Sequence, residues 1–253
     1  MDKRLQEVID KYNKILIFSG AGVSTDSEIS DYKNGDLYYS KLYEDYFTHQ
    51  EIMDSYVFNK NKKLFFEYYI SLLNTLKNKK PNYNHYFAQN LNRSGKLLGV
   101  ITQNIDGLYS KLIDNEKLCE IHGNAFEFVC CKCKRTLSES ETYLSKKGVM
   151  HSKCHDFLVK PNVVLYGEPF NDLKREQYFN LLDEADCILV IGTELKVITH
   201  NNNIAKSKAY KVLLNKDNVQ LERPYVGLYS NFKNVECDWD LQILGDLKNI
   251  IEG

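Results

Sequence analysis

An amide, a carboxylate and an imidazole come close together in the sequence after one apolar run. The run from Leu97 to Thr102 has the length of a buried strand, and the polar residues that come after it are Gln103, Asn104, Asp106 and His122. Because ligands of parallel sheets gather at the carboxyl ends of the strands, these side chains predict a binding or catalytic site. A neutral imidazole could act there as a general base near neutral pH. The alternative is a loop with a capping Asp and a structural His.

A second strand end carries small residues that suit a phosphate group. The apolar run from Lys14 to Phe18 leads directly into the segment Ser19-Gly20-Ala21-Gly22-Val23-Ser24-Thr25. Such a turn lets backbone N–H groups and a helix N-terminus approach a pyrophosphate, although Thr25 stands where the usual fingerprint has a third Gly. A plain tight turn is the alternative. Two further strand ends, at Gly192-Thr193-Glu194 and at Asn215, favour a nucleotide cradle.

The elements that must position these residues alternate between strand and helix patterns. The strand-like runs are Ile15 to Phe18, Leu97 to Thr102, Val163 to Tyr166, Ile188 to Ile191 and Val212 to Leu214. Helical patterns fill many of the intervals, which predicts an α/β fold with a doubly wound, Rossmann-like parallel sheet. This domain is expected to comprise residues 1–31, 77–123 and 161–253.

Two stretches interrupt the alternation. Residues 32–76 are aromatic-rich, show apolar residues at helical spacing and contain no strand run, which predicts a helical module. Residues 124–160 carry six Cys and His residues and are otherwise largely polar. They predict a second inserted module that depends on a metal.

The spacing of the Cys and His residues suits zinc. The pattern Cys130-x2-Cys133-x17-His151-x2-Cys154 lies within the range of structural zinc modules, and zinc accepts imidazole as well as thiolate ligands. We therefore expect Cys130, Cys133, Cys154 and His151 to bind zinc, with His155 as the alternative fourth ligand. A degenerate ribbon without metal is the competing interpretation.

The overall composition excludes several classes of function. The 253 residues include 33 basic and 34 acidic side chains, a net charge of -1 that indicates no general attraction to nucleic acid or membranes. The first ten residues are charged at helical spacing, and no apolar run approaches the roughly 18 residues of a membrane span. We expect a soluble, cytoplasmic protein.

The motifs occur together in one order that covers nearly the whole chain. They are Gly20-Ala21-Gly22-Val23-Ser24, Asp31-Tyr32-Lys33, Pro81-Asn82 with His85, Thr102 to Leu108, His122-Gly123, Lys160 to Glu168, Gly192 to Val197, and Asn215. This ordered set resembles the sirtuins, the NAD-dependent protein deacylases. The resemblance implies a large Rossmann-like domain with a small zinc-ribbon module and a helical module.

The resemblance also implies a role for each matched position. The cofactor-binding residues for NAD would be Gly20, Ala21, Gly22, Tyr32, Lys33, Gln103, Asn104, Asp106, Gly192, Thr193, Glu194 and Asn215. The catalytic residues would be His122, as general base for a ribose hydroxyl, with Asn104 and Asp106. The acyl-lysine protein or peptide would bind along Val163, Val164, Tyr166, Gly167 and Glu168. The segment from Glu194 to Val197 would also contact the peptide, which would bind partly by adding a strand.

The implied reaction transfers the acyl group of a modified lysine to ADP-ribose, releasing nicotinamide and O-acyl-ADP-ribose. A deacetylase is expected first, because the chain has no evident counterpart of the Tyr and Arg pair that recognises acidic acyl groups. Tyr32 and Lys33 stand where sirtuins usually have Phe and Arg, so weaker turnover or an altered acyl preference is expected. The alternative is a protein ADP-ribosyltransferase or an NAD glycohydrolase. The acyl chain, the protein substrate and the oligomeric state stay open.

Overall fold

The computed structural model describes residues 1–29, 37–169, 172–195, 198–217 and 237–253. The strands in these ranges are β1 (Ile15–Ser19), β2 (Leu37–Ser40), β3 (Asp45–Thr48), β4 (Leu97–Thr102), β5 (Leu118–Glu120), β6 (Gly123–Cys130), β7 (Thr136–Ser138), β8 (Thr142–Leu144), β9 (Met150–Ser152), β10 (Phe157–Val163), β11 (Cys187–Ile191), β12 (Tyr210–Asn215) and β13 (Leu241–Leu244). The helices are α1 (Lys3–Lys11), α2 (His49–Ile52), α3 (Ser55–Lys60), α4 (Lys62–Leu76), α5 (Tyr83–Arg93), α6 (Asp172–Glu184), α7 (Ile198–Lys206) and α8 (Leu247–Glu252). A helix needs about 20 apolar residues to span a bilayer, and no helix within these ranges has the length and apolarity to do so.

Six parallel strands form the central sheet, in the order β13-β12-β11-β1-β4-β5. Successive side chains of β1 point to opposite faces. Ile15 and Ile17 pack with α1, α5 and α8, whereas Leu16 and Phe18 pack with α6 and α7. Both faces are therefore covered by helices, which confirms the predicted doubly wound sheet.

The predicted strand from Val163 to Tyr166 is wrong in its position and its partners. Strand β10 ends at Val163 and pairs antiparallel with β6, outside the parallel sheet. Val163 and Leu165 of this run are buried in a second core, so their hydrophobicity does not identify the sheet to which they belong. Two strands of the parallel sheet, β5 and β13, have only three and four residues and were not predicted.

The stretch expected to be a helical module begins with a hairpin, so the prediction of no strand there is wrong. Strands β2 and β3 pair antiparallel over Leu37 to Thr48. Aromatic residues alternate along them: Tyr38 and Phe47 pack on the core, whereas Tyr39 and Tyr46 are exposed. The helical prediction holds from α2 onward, and the apolar residues whose spacing predicted the helix α4 are buried, namely Leu64, Phe65, Tyr68, Tyr69, Leu72, Leu73 and Leu76.

The second inserted stretch forms an antiparallel sheet in the order β7-β6-β10-β9-β8. Its inner face packs on α4, where Phe65 and Tyr69 share a core with Phe128 and Val159. The hydroxyl of Tyr69 also donates a hydrogen bond of 2.9 Å to the carbonyl of Ala125. The two insertions are thus held together by one apolar core and a buried hydrogen bond.

We expect Gly123→Ala to destabilise the protein far more than Gly95→Ala. Both glycines have positive φ, +87° and +73°, so both substitutions strain the backbone by about 1–3 kcal/mol. A Cβ at Gly123 would also lie 1.9 Å from the carbonyl oxygen of Asn162, whereas a Cβ at Gly95 meets nothing within 4 Å. Urea unfolding at equilibrium measures the difference, and equal losses of unfolding free energy in the two variants would contradict this packing argument.

Candidate active site

Four strands of the parallel sheet end at one edge, and backbone hydrogen bonds connect the loops that follow them. The Gln103 N–H donates to the Ser19 carbonyl at 3.0 Å, and the Gly20 N–H donates to the Ile191 carbonyl at 3.2 Å. The Gly192 N–H likewise donates to Leu214 at 3.1 Å. The sequence segments that carry the predicted site residues after β1, β4, β11 and β12 therefore meet in space, as the parallel topology requires.

Three glycines let two of these loops pack backbone against backbone. The Gly22 N–H donates to the Gly192 carbonyl at 2.8 Å, and a Cβ at Gly22 would lie at the same distance from that oxygen. A Cβ at Gly20 would lie 2.7 Å from Cβ of Thr193. The element that follows Gly20 is a 3-10 helix, Ala21–Ser27. The glycines thus form the cradle that the sequence indicated.

Asn104, Asp106 and Ser24 form a buried network below this cradle. The Ser24 hydroxyl donates to Asp106 at 2.7 Å, and the Asn104 amide donates to Ser24 Oγ at 3.0 Å and to the Gly20 carbonyl at 3.1 Å. The second Asp106 oxygen accepts from the Leu108 N–H at 2.9 Å. Burial raises the pKa of Asp106, while the Leu108 N–H and the Ser24 hydroxyl oppose the shift. These contacts fix the Asn104 side chain against the glycine loop.

His122 is held in the tautomer that a general base needs. Its Nδ1 lies 2.9 Å from the Gln103 carbonyl, which can only accept, so Nδ1 carries the proton and Nε2 is the basic atom of the neutral ring. Burial lowers the pKa of His122, and the Gln103 carbonyl partly opposes this shift. The imidazole is therefore neutral at pH 7, with a defined orientation toward the loop after β4.

The far side of the cradle is formed by Gln103, Thr193 and Asn215. The Thr193 hydroxyl is 3.4 Å from Gln103 Oε1, and the Asn215 amide is 3.5 Å from the Thr193 carbonyl. Gln103 Nε2 is buried and has no hydrogen-bond partner within the described ranges. A buried donor of this kind suits a bound ligand that offers an acceptor. Glu194 lies in the same turn, directly after Thr193.

The predicted substrate residues form the segment that leaves β10. The Val164 N–H donates to the His122 carbonyl at 2.9 Å, which attaches the segment to the turn that carries His122. Tyr166 pairs with the α2–α3 turn, accepting from the Ser55 N–H and donating to the Met53 carbonyl, each at 3.0 Å. Part of the backbone that was expected to receive a peptide strand is thus already paired. Glu168 is 2.9 Å from the ammonium group of Lys160.

Several predicted residues lie outside the described ranges. They are the cofactor residues Tyr32 and Lys33 and the peptide-binding residues Lys196 and Val197.

Three cysteines and a histidine form a second cluster at the tip of the antiparallel sheet. The donor atoms of Cys130, Cys133, Cys154 and His155 all lie within 4.8 Å of one another. The sulfurs of Cys133 and Cys154 are 4.0 Å apart, close to the roughly 3.7 Å expected between thiolates on tetrahedral zinc. A hydrogen bond from Ser152 and the backbone N–H of Cys133 lower the pKa of Cys130, which favours the thiolate that binds metal. The donor set therefore fits zinc.

The structure corrects the predicted fourth ligand from His151 to His155. His151 lies in β9, where it pairs with Tyr143 and Leu158, and its Nδ1 is 3.3 Å from the Asp156 carboxylate. Because neighbouring strand residues point to opposite faces, Ser152 faces Cys130 and His151 points away. His155 follows in the turn after β9, beside Cys154.

The known proteins that resemble this chain agree on one family. The model of the Sir2 family matches residues 20–199. The chain is a member of the Sir2 family. An NAD-dependent protein deacetylase of Clostridium perfringens strain 13 is 34% identical over 195 residues, which cover 77% of this chain and 78% of that protein. An NAD-dependent protein deacylase of Leptospira interrogans serovar Lai is 35% identical over 188 residues, which cover 73% of this chain and 72% of that protein.

Solved structures share the Sir2 fold with this chain. Sir2Tm bound to a propionylated peptide has a TM-score of 0.77 at 22% identity, with 100% of this chain and 96% of that chain covered. A complex of Sir2 with a p53 peptide and NAD+ has a TM-score of 0.78 at 21% identity, with the same coverage. The predicted α/β fold, with a Rossmann-like sheet and a small ribbon module, is confirmed.

Two polar groups beside the candidate site of this Sir2-family chain were not predicted. His200, on α7, is buried, and its ring centroid lies 6.0 Å from that of His122. Burial lowers the pKa of His200 to about 3, so it is neutral. Glu120 is buried at the end of β5, two residues before His122. Glu120 was not predicted because the three-residue strand that it ends was not predicted, and nothing in the local sequence connects His200 with His122.

We expect His155→Ala to weaken zinc binding at least about tenfold, because it removes a donor atom of the cluster, while His151→Ala keeps one zinc per chain. Zinc content is measured by mass spectrometry on protein purified without chelator, and affinity by competition with a chromogenic chelator. A larger loss of zinc affinity in His151→Ala than in His155→Ala would support His151 as the fourth ligand, as the sequence spacing predicted. Wild-type protein without stoichiometric zinc would refute the metal site.

Proposed function

We propose that this Sir2-family chain is an NAD-dependent protein-lysine deacylase, with acetyl-lysine as the first substrate to test. The observation that carries the proposal is His122, a neutral imidazole whose tautomer is set by the Gln103 carbonyl at the edge of the glycine cradle. A protein that only bound a nucleotide would not need a base there. The curated relatives named as NAD-dependent deacetylases and deacylases support the same activity.

NAD suits the residues of the cradle. Gly20, Gly22 and Gly192 give the two loops a surface without side chains at these positions, on which a pyrophosphate would lie, and Thr193 with Asn215 borders the half that would hold the adenosine. The buried Gln103 amide would donate to the nicotinamide ribose. When bound, NAD would supply an anomeric carbon, from which nicotinamide would depart as the acyl oxygen attacks.

The residues of the chain would orient the reactants and move one proton. Asn104, fixed by Ser24 and Gly20, would position the ribose beside His122. Nε2 of His122 would take a proton from a ribose hydroxyl, and the burial that lowers its pKa keeps the ring ready for this at neutral pH. Asp106 would act through the Ser24 hydroxyl, because its oxygens are already bonded within the protein.

The substrate would be an acyl-lysine in a protein or peptide. The segment from Val163 to Glu168 would flank the lysine, since Val164 is bonded to His122 and Tyr166 to the helical insertion. Recognition through backbone atoms would tolerate many peptide sequences. A cytoplasmic location belongs to the same proposal. All seven cysteines are free thiols, and three of them form a cluster with a histidine that suits zinc. Free and metal-binding thiols are typical of proteins in a reducing compartment.

We expect the purified protein to convert an acetyl-lysine peptide and NAD into the free-lysine peptide, nicotinamide and O-acetyl-ADP-ribose. Mass spectrometry of the three products measures this, with the unmodified peptide as the control. Labelling of protein by ADP-ribose, or release of free ADP-ribose without peptide, would instead support a transferase or a glycohydrolase.

We expect His122→Ala to lower kcat by at least about 100-fold, because general-base catalysis contributes about that much or more. NAD affinity, measured by calorimetry, should change little because the cradle is formed by other residues. His151→Ala, which removes an imidazole in the ribbon sheet, is the matched control and should keep its turnover. Undiminished turnover in His122→Ala would exclude His122 as the base.

A further inference from the structure

Two buried side chains that have no role in the proposal above connect the two halves of the site. Glu120 ends β5, and Asn124 lies in β6, so they flank His122 by two residues on either side. Their side chains are only 8% and 6% exposed. The Asn124 amide donates to both Glu120 oxygens, at 2.9 and 3.2 Å. This contact connects the residues on the two sides of the turn that carries His122.

The other side of Asn124 lies against the loop that carries Asn104 and Asp106. Gly107 has φ of +67°, and a Cβ there would lie 3.2 Å from the Asn124 amide nitrogen. The side-chain oxygen Oδ1 of Asn124 accepts a hydrogen bond from the Phe126 N–H at 3.0 Å, which fixes the orientation of the side-chain amide. The next residue, Ala125, donates its N–H to the Ile105 carbonyl at 2.8 Å. The loop of residues 103–108 therefore lies close to the Asn124 side chain and is hydrogen-bonded to Ala125.

We propose that Glu120 and Asn124 are positioning residues of the reaction, which hold the loop of residues 103–108 at a fixed distance from His122. This inference rests on the proposed function, because the distance matters where Asn104 and His122 act on the same ribose. A displacement of about 1 Å in such an arrangement can reduce catalysis by about 100-fold.

The cost of burying Glu120 supports a specific role. Burial raises the pKa of Glu120 to about 7, the Asn124 amide opposes the shift, Glu127 and Asp106 raise it further, and Lys174 lowers it. No ion pair of Glu120 is present among the described residues. An apolar side chain would avoid this desolvation, but it could not orient the Asn124 amide.

The test compares Glu120→Ala, Glu120→Gln, Asn124→Ala and the double alanine variant at about pH 8, where a carboxyl group of pKa about 7 is largely ionised. We expect Glu120→Ala to lower kcat/KM for NAD about tenfold or more, with KM for the peptide unchanged, because the Asn124 side chain is hydrogen-bonded to Glu120 and to the Phe126 N–H, and no hydrogen bond joins it to Val163–Glu168 among the described residues. Glu120→Gln should restore most of the activity, since its carbonyl accepts from the same amide. The double variant should lose no more than Glu120→Ala alone, as expected for one coupled unit.

Glu67→Ala is the matched control. Glu67 is a carboxylate that also accepts two hydrogen bonds, from Ser40 Oγ at 2.8 Å and the Lys41 N–H at 2.9 Å, but in the helical insertion. Thermal unfolding confirms that each variant is folded. Additive losses, an equal loss in Glu67→Ala, or no rescue by Glu120→Gln would each overturn the positioning role.

A second measurement separates this proposal from the proposed function. The amide resonance of Gly107 and the calorimetric affinity for NAD are compared in wild type, Glu120→Ala and Glu67→Ala. We expect Glu120→Ala alone to shift the Gly107 resonance and to weaken NAD binding, even if the wild type deacylates no peptide. An unshifted Gly107 resonance in Glu120→Ala would refute the positioning role, whereas an inactive wild type would refute only the deacylase.

Discussion

The site depends on the close approach of two backbones at the carboxyl edge of the parallel sheet. Gly22 and Gly192 are hydrogen-bonded to each other, and neither position has room for a Cβ. Any side chain there would separate β1 from β11 at the point where both lead into site residues. The same contact brings Thr193 to the Gln103 side chain, so the cradle and the polar strand end are formed together. The parallel topology supplies the edge, and the glycines let the loops after β1 and β11 approach each other closely there.

Asp106 and His122, two polar groups at this edge, are each hydrogen-bonded to other groups of the protein, which lowers the cost of burying them and fixes their orientation. Asp106 would be expensive in isolation, yet Ser24 and the Leu108 N–H bond both of its oxygens. His122 gains the same kind of support from the Gln103 carbonyl. Asn104, Asp106 and His122 are therefore each oriented by a polar group that follows another strand. That arrangement lets the site keep its shape before any ligand arrives.

The sequence predicted the residues whose signal is local and missed those whose signal lies in the tertiary structure. Strand β4 was predicted with its true bounds, because an unbroken apolar run ending in Gln103 identifies a buried strand. The ligand His155 was assigned second place, because spacing cannot show that His151 points away from Cys130 across a strand. The hairpin before α2 was missed because its alternating aromatics stand next to a much longer helical pattern. Glu120 was missed because its partner Asn124 becomes visible only in the fold.

The metal cluster and the candidate site are mechanically connected through one strand. Strand β10 starts directly after the turn that carries Cys154 and His155, and it ends at Val163, which pairs with Gly123 beside His122. The next residue, Val164, bonds to the His122 carbonyl. A metal that fixed the turn would therefore fix the start of the strand whose end borders the reaction. Because β10 also packs on α4 through Val159, the ribbon supports the segment that leaves β10, and a metal bound at the cluster would stabilise that segment without touching it.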